Sequence, residues 1–242
     1  MREVCGRIRV NWCKSCGGGS NFGDQLTPAL LTHHKRLFEW SSPPAAHLLM
    51  VGSILSKVPN GWRGTVLGTG FIKESYRRDL SQARVLAVRG ALTRDRANVS
   101  GKTPLGDMGV LVGELPHLTW EKMLDPLVIP HYVDRDIETM MSPLAGYSVM
   151  PITAEIPSII SAIESAPLVI TSSLHALIAA DALGIPHIWQ PHERVIGAGF
   201  KFDDYASAFD IEIRPGVERL TDRAKMTAKQ DELRALLVRM TF

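Results

Sequence analysis

The sequence has 242 residues, of which 45% are hydrophobic and 21% are charged. This length suits one large α/β domain or two lobes of roughly 110 residues, and the composition is typical of a globular protein and excludes wholesale disorder. The formal net charge is only +2. Because the chain also has no long run of Lys and Arg, nothing in its composition indicates a nucleic-acid partner.

No targeting or membrane-spanning segment is predicted. Charged residues stand at the start of the sequence before any apolar stretch, unlike in a secretory signal. The longest apolar stretch, 176–183, contains Asp181 and is far shorter than the roughly 20 residues that span a bilayer. We therefore expect a cytoplasmic protein.

The three cysteines, Cys5, Cys13 and Cys16, leave one unpaired in any disulfide scheme, which agrees with reduced thiols in a reducing compartment. An alternative is a zinc site that joins Cys13 and Cys16 to His33 and His34. A structural zinc site needs four well-spaced ligands, and the glycines that follow these cysteines suit a flexible loop. We expect no metal.

In chain order, the first half predicts short strands that alternate with helices. Residues 7–12 indicate a strand that enters the glycine-rich loop 17–23, and Asp24 is expected to cap a helix that extends to Arg36. Short apolar runs predict further elements, which are strands at 47–51, 64–68 and 85–88, a helix at 92–97 and a last strand and turn at 105–107. Residues 114–126 contain two prolines and form the predicted linker.

The second half repeats this plan. Its predicted strands are 127–130, 149–152, 168–171 and 187–190, and its predicted helices are 134–141, 155–164 and 174–183. Short apolar strands separated by helices are typical of a parallel sheet covered on both faces. We therefore predict an α/β protein with two Rossmann-like lobes, 1–115 and 126–242, and an active site in the cleft between them.

A C-terminal helix is predicted over 217–240, with a polar interruption at 229–232, and it could pack back across the first lobe. It carries six basic residues, Arg219, Arg223, Lys225, Lys229, Arg234 and Arg239. One interpretation is an amphipathic helix on a membrane surface. The other is a solvated face, which is favoured by the acidic residues Asp222, Asp231 and Glu232.

The loops after the strands hold the candidate functional residues, because ligands of open parallel sheets bind at the carboxyl ends of the strands. Loop 171–175 brings Ser172, Ser173 and His175 to a helix N-terminus, where hydroxyls and backbone N–H groups can bind phosphate or carboxylate. The alternative is that a serine caps the helix and His175 packs in its first turn. The glycine-rich loop has neither a P-loop ending nor dinucleotide spacing, so neither ATP nor NAD is predicted.

Four more residues are candidates by their position. Asp24 can cap its helix, accept a proton from a sugar hydroxyl, or do both. His131 follows a strand and points toward the cleft, unless it is a structural histidine. Arg89 leaves a buried strand and Arg94 lies in the next helix. Either guanidinium can hold carboxylate or phosphate oxygens, and surface ion pairing is the alternative that we favour for Arg94.

Six motifs, taken in this order, resemble the polysaccharide pyruvyl transferase family over most of the chain, and the match looks closest to the ketal pyruvyl transferases of bacterial exopolysaccharide assembly. The motifs are Asn21-Phe22-Gly23-Asp24, Val88-Arg89-Gly90-Ala91-Leu92-Thr93-Arg94, Gly106-Asp107, Ile129-Pro130-His131, Ser172-Ser173-Leu174-His175-Ala176 with Gly184-Ile185-Pro186, and Lys201-Phe202-Asp203-Asp204-Tyr205.

This resemblance implies a glycosyltransferase-B-like pair of Rossmann lobes and the transfer of pyruvate from phosphoenolpyruvate to a sugar. The acceptor in the family is usually a lipid-linked oligosaccharide, so the protein would work in the cytoplasm with peripheral contact to the inner face of the plasma membrane. The donor would lie on the second lobe. The reaction needs no cofactor and no metal.

The resemblance also implies roles for residues. The family's donor-site histidine matches His175, which we expect to be an acid or a phosphate partner, and its arginine after the fourth strand matches Arg89, the expected clamp for the donor. Many members have Arg-Leu-His where this chain has Ser173 before Leu174 and His175, and Lys201 or Arg94 could replace that arginine. The remaining expected residues are Asp24 or His131 as the base, with Asn21 and Ser172 in substrate binding.

Two alternatives remain open at this point. One is a glycosyltransferase that uses a nucleotide sugar on the same two-lobed frame. The other is a sugar-binding relative that has no activity because it has lost the family's arginine.

Overall fold

The computed structural model describes residues 7–14, 21–134, 146–197 and 199–241. The first half contains strands β1 (Ile8–Asn11), β2 (Phe38–Trp40), β3 (Leu48–Leu49), β4 (Thr65–Leu67) and β5 (Arg84–Ala87), helices α1 (Phe22–His33) and α2 (Ala91–Arg96), and 3-10 helices at Pro43–Ala45, Leu55–Lys57 and Met108–Glu114. The second half contains strands β6 (Leu127–Ile129), β7 (Ser148–Val149), β8 (Val169–Thr171), β9 (His187–Trp189) and β10 (Glu218–Arg219), and helices α3 (Ile156–Ser165), α4 (Leu174–Leu183), α5 (Phe200–Ala206) and α6 (Arg223–Arg239).

The two halves form separate five-stranded sheets with the same strand order. The first sheet has the order β2-β1-β3-β4-β5 and is parallel throughout. The second has the order β7-β6-β8-β9-β10, in which β10 pairs antiparallel with β9 and the other pairs are parallel. The prediction of an α/β protein with a mainly parallel sheet in each half is therefore confirmed.

In each sheet the strand order reverses at one point, between β1 and β3 in the first and between β6 and β8 in the second. At such a point the loops that leave neighbouring strands go to opposite faces of the sheet and open a crevice. One hydrophobic cluster runs through both halves and includes Val10, Leu67, Ile129 and Leu177. The two sheets that form these crevices therefore share one continuous hydrophobic core.

Helix α4 shows how the sequence sets an element. Its ten residues are mostly apolar and eight of them are buried, so the helix is stabilised by burial on more than one face. It ends at Gly184, whose φ of 77° is the left-handed conformation of a helix C-cap. The predicted bounds of 174–183 are confirmed.

Some predicted elements differ from the structure. The strand expected at 105–107 is a single parallel bridge between Val88 and Leu105, and β2 and β10 were not predicted. The helix expected at 134–141 falls almost entirely outside the described residues. Helix α6 is continuous through 229–232, because Lys229 and Glu232 form an ion pair of 2.8 Å across one turn rather than breaking the helix.

Helix α6 packs against the first half, as expected. The Arg36 guanidinium donates to the carbonyl oxygens of Leu237 and Val238 near the end of the helix, at 3.0 and 2.6 Å. The Gln230 amide donates to the Val110 carbonyl oxygen at 2.9 Å. None of the helices in the described part of the chain has the length and apolar character needed to cross a membrane.

Candidate active site

A cavity of about 230 Å³ lies where the crevices of the two sheets meet. Loops that follow β1 and β3 line one side, and loops that follow β6 and β8 line the other. The lining residues used below are Asn21, Asp24, Ser53, Lys57, His131, Tyr132, Ser173, His175 and Lys201. The structure therefore brings together six of the nine predicted site residues, which are Asn21, Asp24, His131, Ser173, His175 and Lys201.

The N-terminus of α1 forms the first side of the cavity. Asn21 is the N-cap, and its side-chain oxygen accepts from the Asp24 N–H at 3.2 Å, while its amide donates to the Asp24 carboxylate. The prediction that Asp24 is the cap is wrong, because the helix begins at Phe22 and Asp24 lies in its first turn. Burial raises the Asp24 pKa to about 6, which puts this carboxyl in the range useful for a general base.

His175 lies in the first turn of α4, on the opposite side. Gly23 of α1 packs directly on its ring, since a Cβ at Gly23 would be only 2.2 Å from Nδ1 of His175. This contact explains the glycine in the Asn21-to-Asp24 motif. Burial, together with the positive charges of Arg89 and Lys201, lowers the His175 pKa to about 3. The imidazole is therefore neutral at pH 7.

The two serines of loop 171–175 have different surroundings. Ser173 is the N-cap residue of α4, but its side chain makes no capping hydrogen bond to the described helix, and it lines the cavity. Ser172 is fully buried and does not line it. Its hydroxyl donates to the Asp134 carboxylate and accepts from the His131 N–H at 2.9 Å, so Ser172 holds the neighbouring loop in place.

His131 and Tyr132 follow β6 and stack against each other, with ring centroids 4.3 Å apart. Burial and the nearby Lys201 and His192 lower the pKa of His131 to about 3. The Asp134 carboxylate lies 2.7 Å from Nδ1 of His192. His131 therefore enters the cavity as a neutral imidazole with a polar network behind it.

Lys201, in α5, is the buried cation of the cavity, only 6% exposed. Burial, and then the charge of Arg89, lowers its pKa to about 8, whereas Asp134 and Asp24 favour the charged form. Most of the lysine is therefore still an ammonium ion at pH 7. It lines the same cavity as Ser173, and its role as the replacement for the arginine expected at that position stays a prediction.

Arg89 lies behind the cavity rather than in its wall. It is fully buried, and its guanidinium donates to the Asp204 carboxylate at 2.8 Å, to the Ser53 hydroxyl at 2.6 Å and to the Phe71 carbonyl oxygen. Asp204 also accepts from the Thr93 N–H at 2.7 Å. Asp204 of α5 in the second half is thus bound both to Arg89, which follows β5, and to Thr93 of α2 in the first half. Arg89 contacts the cavity through Ser53. Its direct binding of a donor stays a prediction.

Arg94 does not belong to the cavity. It lies on α2 and is not among the lining residues, and its guanidinium donates to the carbonyl oxygen of Gly101 at 2.9 Å. The expectation that Arg94 could supply the missing cation is therefore wrong, and Lys201 is the candidate that remains.

The zinc alternative is not supported. Cys13 is disulfide-bonded, so the expectation of three reduced thiols is wrong, and Cys13 lines the cavity near the start of α1 whereas His33 and His34 lie at or just after its end. In the described part of the chain, His33, His34 and Glu114 bring possible ligand atoms within 4.8 Å of one another. Glu114, however, already pairs with Arg234 at 2.5 Å and with His34 at 2.9 Å.

Sequence reasoning missed several residues of this site. Asp107 and Asp134 are buried carboxyls next to His175 and His192, and Lys57, Tyr132 and Ser53 line the cavity. The signal for Asp107 was present, since Gly106-Asp107 is one of the six motifs. Nothing in the local pattern around the others marks them, because the partners that give them a role are distant in sequence.

Comparison with known proteins shows the family to which this chain belongs. A family model described as polysaccharide pyruvyl transferase matches residues 15–192. Because the match covers most of the chain, the protein belongs to the polysaccharide pyruvyl transferase family, and its resemblance to that family is confirmed. It is a transferase of the pyruvyl-transferring class.

Two relatives show how far the likeness extends. The chain is 25% identical over 221 residues to the succinoglycan biosynthesis protein ExoV of Rhizobium meliloti (strain 1021), with 86% of this chain and 68% of ExoV covered. It is 30% identical over 180 residues to the uncharacterized protein L143 of Acanthamoeba polyphaga mimivirus, with 69% and 61% covered. No solved structure is significantly similar to this chain.

Proposed function

We propose that this protein transfers the pyruvyl group of phosphoenolpyruvate to a sugar in the repeat unit of a bacterial exopolysaccharide and forms a cyclic ketal. The acceptor is a lipid-linked oligosaccharide, which the protein meets at the cytoplasmic face of the plasma membrane. The family and the likeness to ExoV of succinoglycan biosynthesis support the pyruvylation of an exopolysaccharide. The donor and the form of the acceptor are the finer parts of the proposal.

The observation that carries the proposal is the buried ammonium of Lys201 in a small cavity that also contains the N-terminus of α4. The cavity volume of about 230 Å³ suits one small anion. A helix N-terminus and a partly desolvated cation both favour phosphate and carboxylate groups. Phosphoenolpyruvate carries both groups.

The reaction can be written without a metal. The oxygen of one acceptor hydroxyl bonds to C2 of phosphoenolpyruvate while a proton is added to C3, which becomes a methyl group, and a base takes the hydroxyl proton. The oxygen of a second hydroxyl then bonds to the same C2 as the C2–O bond to phosphate breaks, and the proton of this hydroxyl goes to the departing phosphate. The products are the cyclic pyruvyl ketal and inorganic phosphate.

The site residues can be assigned to these steps. Asp24, with a pKa of about 6, is a carboxylate at pH 7 and can take the hydroxyl proton. Lys201 neutralises the donor's negative charge. His175 is neutral by itself, but a bound trianion would favour its protonated form, so His175 can donate a proton or a hydrogen bond to the donor.

A second cavity of about 610 Å³ lies beside the first, and Ile196 lines both. This second cavity lies at the carboxyl end of β9, and its lining residues include Trp189, Phe202 and His192. We assign it to the sugars of the acceptor that do not react. Its size is also the one observation that favours the alternative function, a glycosyltransferase that uses a nucleotide sugar on a glycosyltransferase-B-like frame.

Thermal unfolding with candidate donors tests the two functions. Phosphoenolpyruvate at 10 to 100 times its dissociation constant should stabilise the protein by about 1–3 kcal/mol, whereas uridine and guanosine diphosphate sugars should not. A chelator should leave this effect unchanged, because no metal holds the donor. Stabilisation by a nucleotide sugar alone, or a chelator-sensitive effect, would favour the glycosyltransferase. Release of inorganic phosphate on addition of an oligosaccharide acceptor would exclude an inactive sugar-binding protein.

A further inference from the structure

Asp107 is a buried carboxyl next to His175. It precedes the 3-10 helix Met108–Glu114 and caps it, since its Oδ1 accepts from the Gly109 N–H at 2.8 Å. The other carboxyl oxygen, Oδ2, lies 3.9 Å from Nε2 of His175. Neither of these two atoms is accessible to solvent, and neither has another hydrogen-bond partner among the described residues.

Two unsatisfied polar atoms that face each other in a protein interior are unusual, because each costs about 1–3 kcal/mol when it lacks a partner. A movement of about 1 Å would bring them to hydrogen-bond distance. The backbone of α1 at Gly23 packs on the ring, which keeps His175 from turning away from Asp107. Oδ2 of Asp107 and Nε2 of His175 are therefore positioned to form a hydrogen bond after a small movement.

We propose that Asp107 is the positioning residue for His175, binding Nε2 so that the ring orientation is fixed and Nδ1 is left for the ligand in the cavity. The proposal rests on the donor-binding role given to His175 under the proposed function. A carboxylate accepts from Nε2–H and leaves Nδ1 as an acceptor. A protonated carboxyl donates to Nε2 and leaves Nδ1–H as a donor. The protonation state of Asp107 thus decides whether Nδ1 of His175 is a hydrogen-bond donor or an acceptor.

The groups around Asp107 allow both its protonated and its ionised form near neutral pH. Burial raises its pKa to about 7, against the opposing effect of Arg89, while Asp204 adds to the rise. The charged groups that face His175 are Arg89 and Lys201, and His131 is the neighbouring titratable group. Since these cations disfavour the imidazolium, the proton of the pair stays on Asp107 until an anion binds.

Asp107→Asn is the decisive variant. An asparagine oxygen can still accept from the Gly109 N–H and keep the cap, whereas its amide group can only donate to Nε2. Nitrogen-15 NMR of the histidine rings, with the His175 signals assigned by their loss in His175→Gln, should show the Nδ1–H tautomer at every pH from 6 to 9. In the wild type the tautomer should change from Nδ1–H to Nε2–H as the pH rises through about 7.

Activity gives the second measurement. With phosphoenolpyruvate, the wild-type KM should rise by about 10-fold as the pH rises through about 7 and Nδ1 of His175 changes from a donor to an acceptor, whereas the KM of Asp107→Asn should stay near the low-pH value. The matched control is Asp222→Asn, another capping aspartate, whose side chain accepts from the Lys225 N–H at the start of α6. It should behave as the wild type in both measurements.

The outcomes separate the two proposals. An unchanged His175 tautomer in Asp107→Asn overturns the positioning role, whatever the substrate is. A changed tautomer in a protein that does not use phosphoenolpyruvate supports the positioning role and overturns the proposed function. If Asp107→Asn also unfolds, a change in the His175 signals of the folded Asp107→Glu protein decides the question, and signals identical to the wild type count against it.

Discussion

Two helix N-termini face the cavity, and they differ in how their positive ends are compensated. In α1 the first turn carries its own acid, Asp24, and the N-cap Asn21 satisfies a backbone N–H. In α4 the first turn has no acidic residue, and the side chain of Ser173 makes no capping bond to the described helix. Lys201 adds a positive charge to the cavity that both helices line.

The same backbone dipole is therefore used in two ways. At α1 a carboxylate offsets the partial positive charge of the helix, so this side suits a neutral hydroxyl that must lose a proton. At α4 the charge is left uncompensated and a lysine strengthens it, so this side suits an anion. The comparison predicts that changes at α1 affect turnover, whereas changes near α4 affect donor binding.

The largest expected effect is that of Lys201→Met. It should weaken the binding of phosphoenolpyruvate by about 100-fold, because hydrogen bonds to charged groups contribute about 1.5–3 kcal/mol. The melting temperature should not fall, since methionine removes a buried charge and fills similar space. Isothermal titration with phosphoenolpyruvate measures the affinity.

Lys57→Met is the matched control, because it removes the same charge from an exposed residue of the cavity rim. Water screens an exposed lysine, so its loss should change the affinity by less than about threefold. Equal losses in the two variants would mean that only the total charge matters and would contradict the anion site at α4.

Asp24→Asn changes the α1 side of the cavity and should therefore affect turnover. The affinity for phosphoenolpyruvate should stay within about threefold of the wild type, while kcat falls by about 10- to 100-fold as the base is lost. The wild-type kcat/KM should decline as the pH falls through about 6, and this acidic limb should be absent from the variant. A variant that loses donor binding instead of turnover would reverse the assignment of the two helices.

The Asp24 carboxyl also makes the stability of the folded protein depend on pH. Its pKa is raised from 3.8 to about 6 in the folded protein, so the folded state holds the proton more tightly than the unfolded state between these values. Stability should therefore decrease as the pH rises from 4 to 6, by at most about 3 kcal/mol from this group. Urea unfolding of Asp24→Asn should show a weaker pH dependence over this range.

The sequence alone was enough where an element carries its own signals. Helix α4 was predicted to the residue, because an apolar run is followed by Gly184 and then Pro186. The strands β2 and β10 were missed because Phe38–Trp40 and Glu218–Arg219 are short and have no fully buried residue. They are strands only because a neighbouring strand pairs with them.

The candidate site also contains both residues that the sequence predicts and contacts that it does not. His175, Asp24 and Lys201 could be predicted from their places in loops and motifs. The pairing of Asp107 with His175, or of Asp204 with Arg89, could not, because these residues are 68 and 115 positions apart and no local pattern joins them. For Arg89 the prediction of a strand end was confirmed, but the buried carboxylate that binds its guanidinium was not foreseen.

The smallest expected effect concerns the arginine that many family members have where this chain has Ser173. In the wild-type background, Ser173→Arg should change the affinity for phosphoenolpyruvate by less than about threefold, because the added charge competes with Lys201 for the same anion and takes up cavity space. In the Lys201→Met background the same change should restore affinity by about tenfold, since a guanidinium then replaces the missing cation. The four proteins form a double-mutant cycle, and its coupling energy measures whether the two positions serve one anion. Strictly additive effects would show that Ser173 and Lys201 act on different groups, and the anion site would then have to be assigned without Lys201.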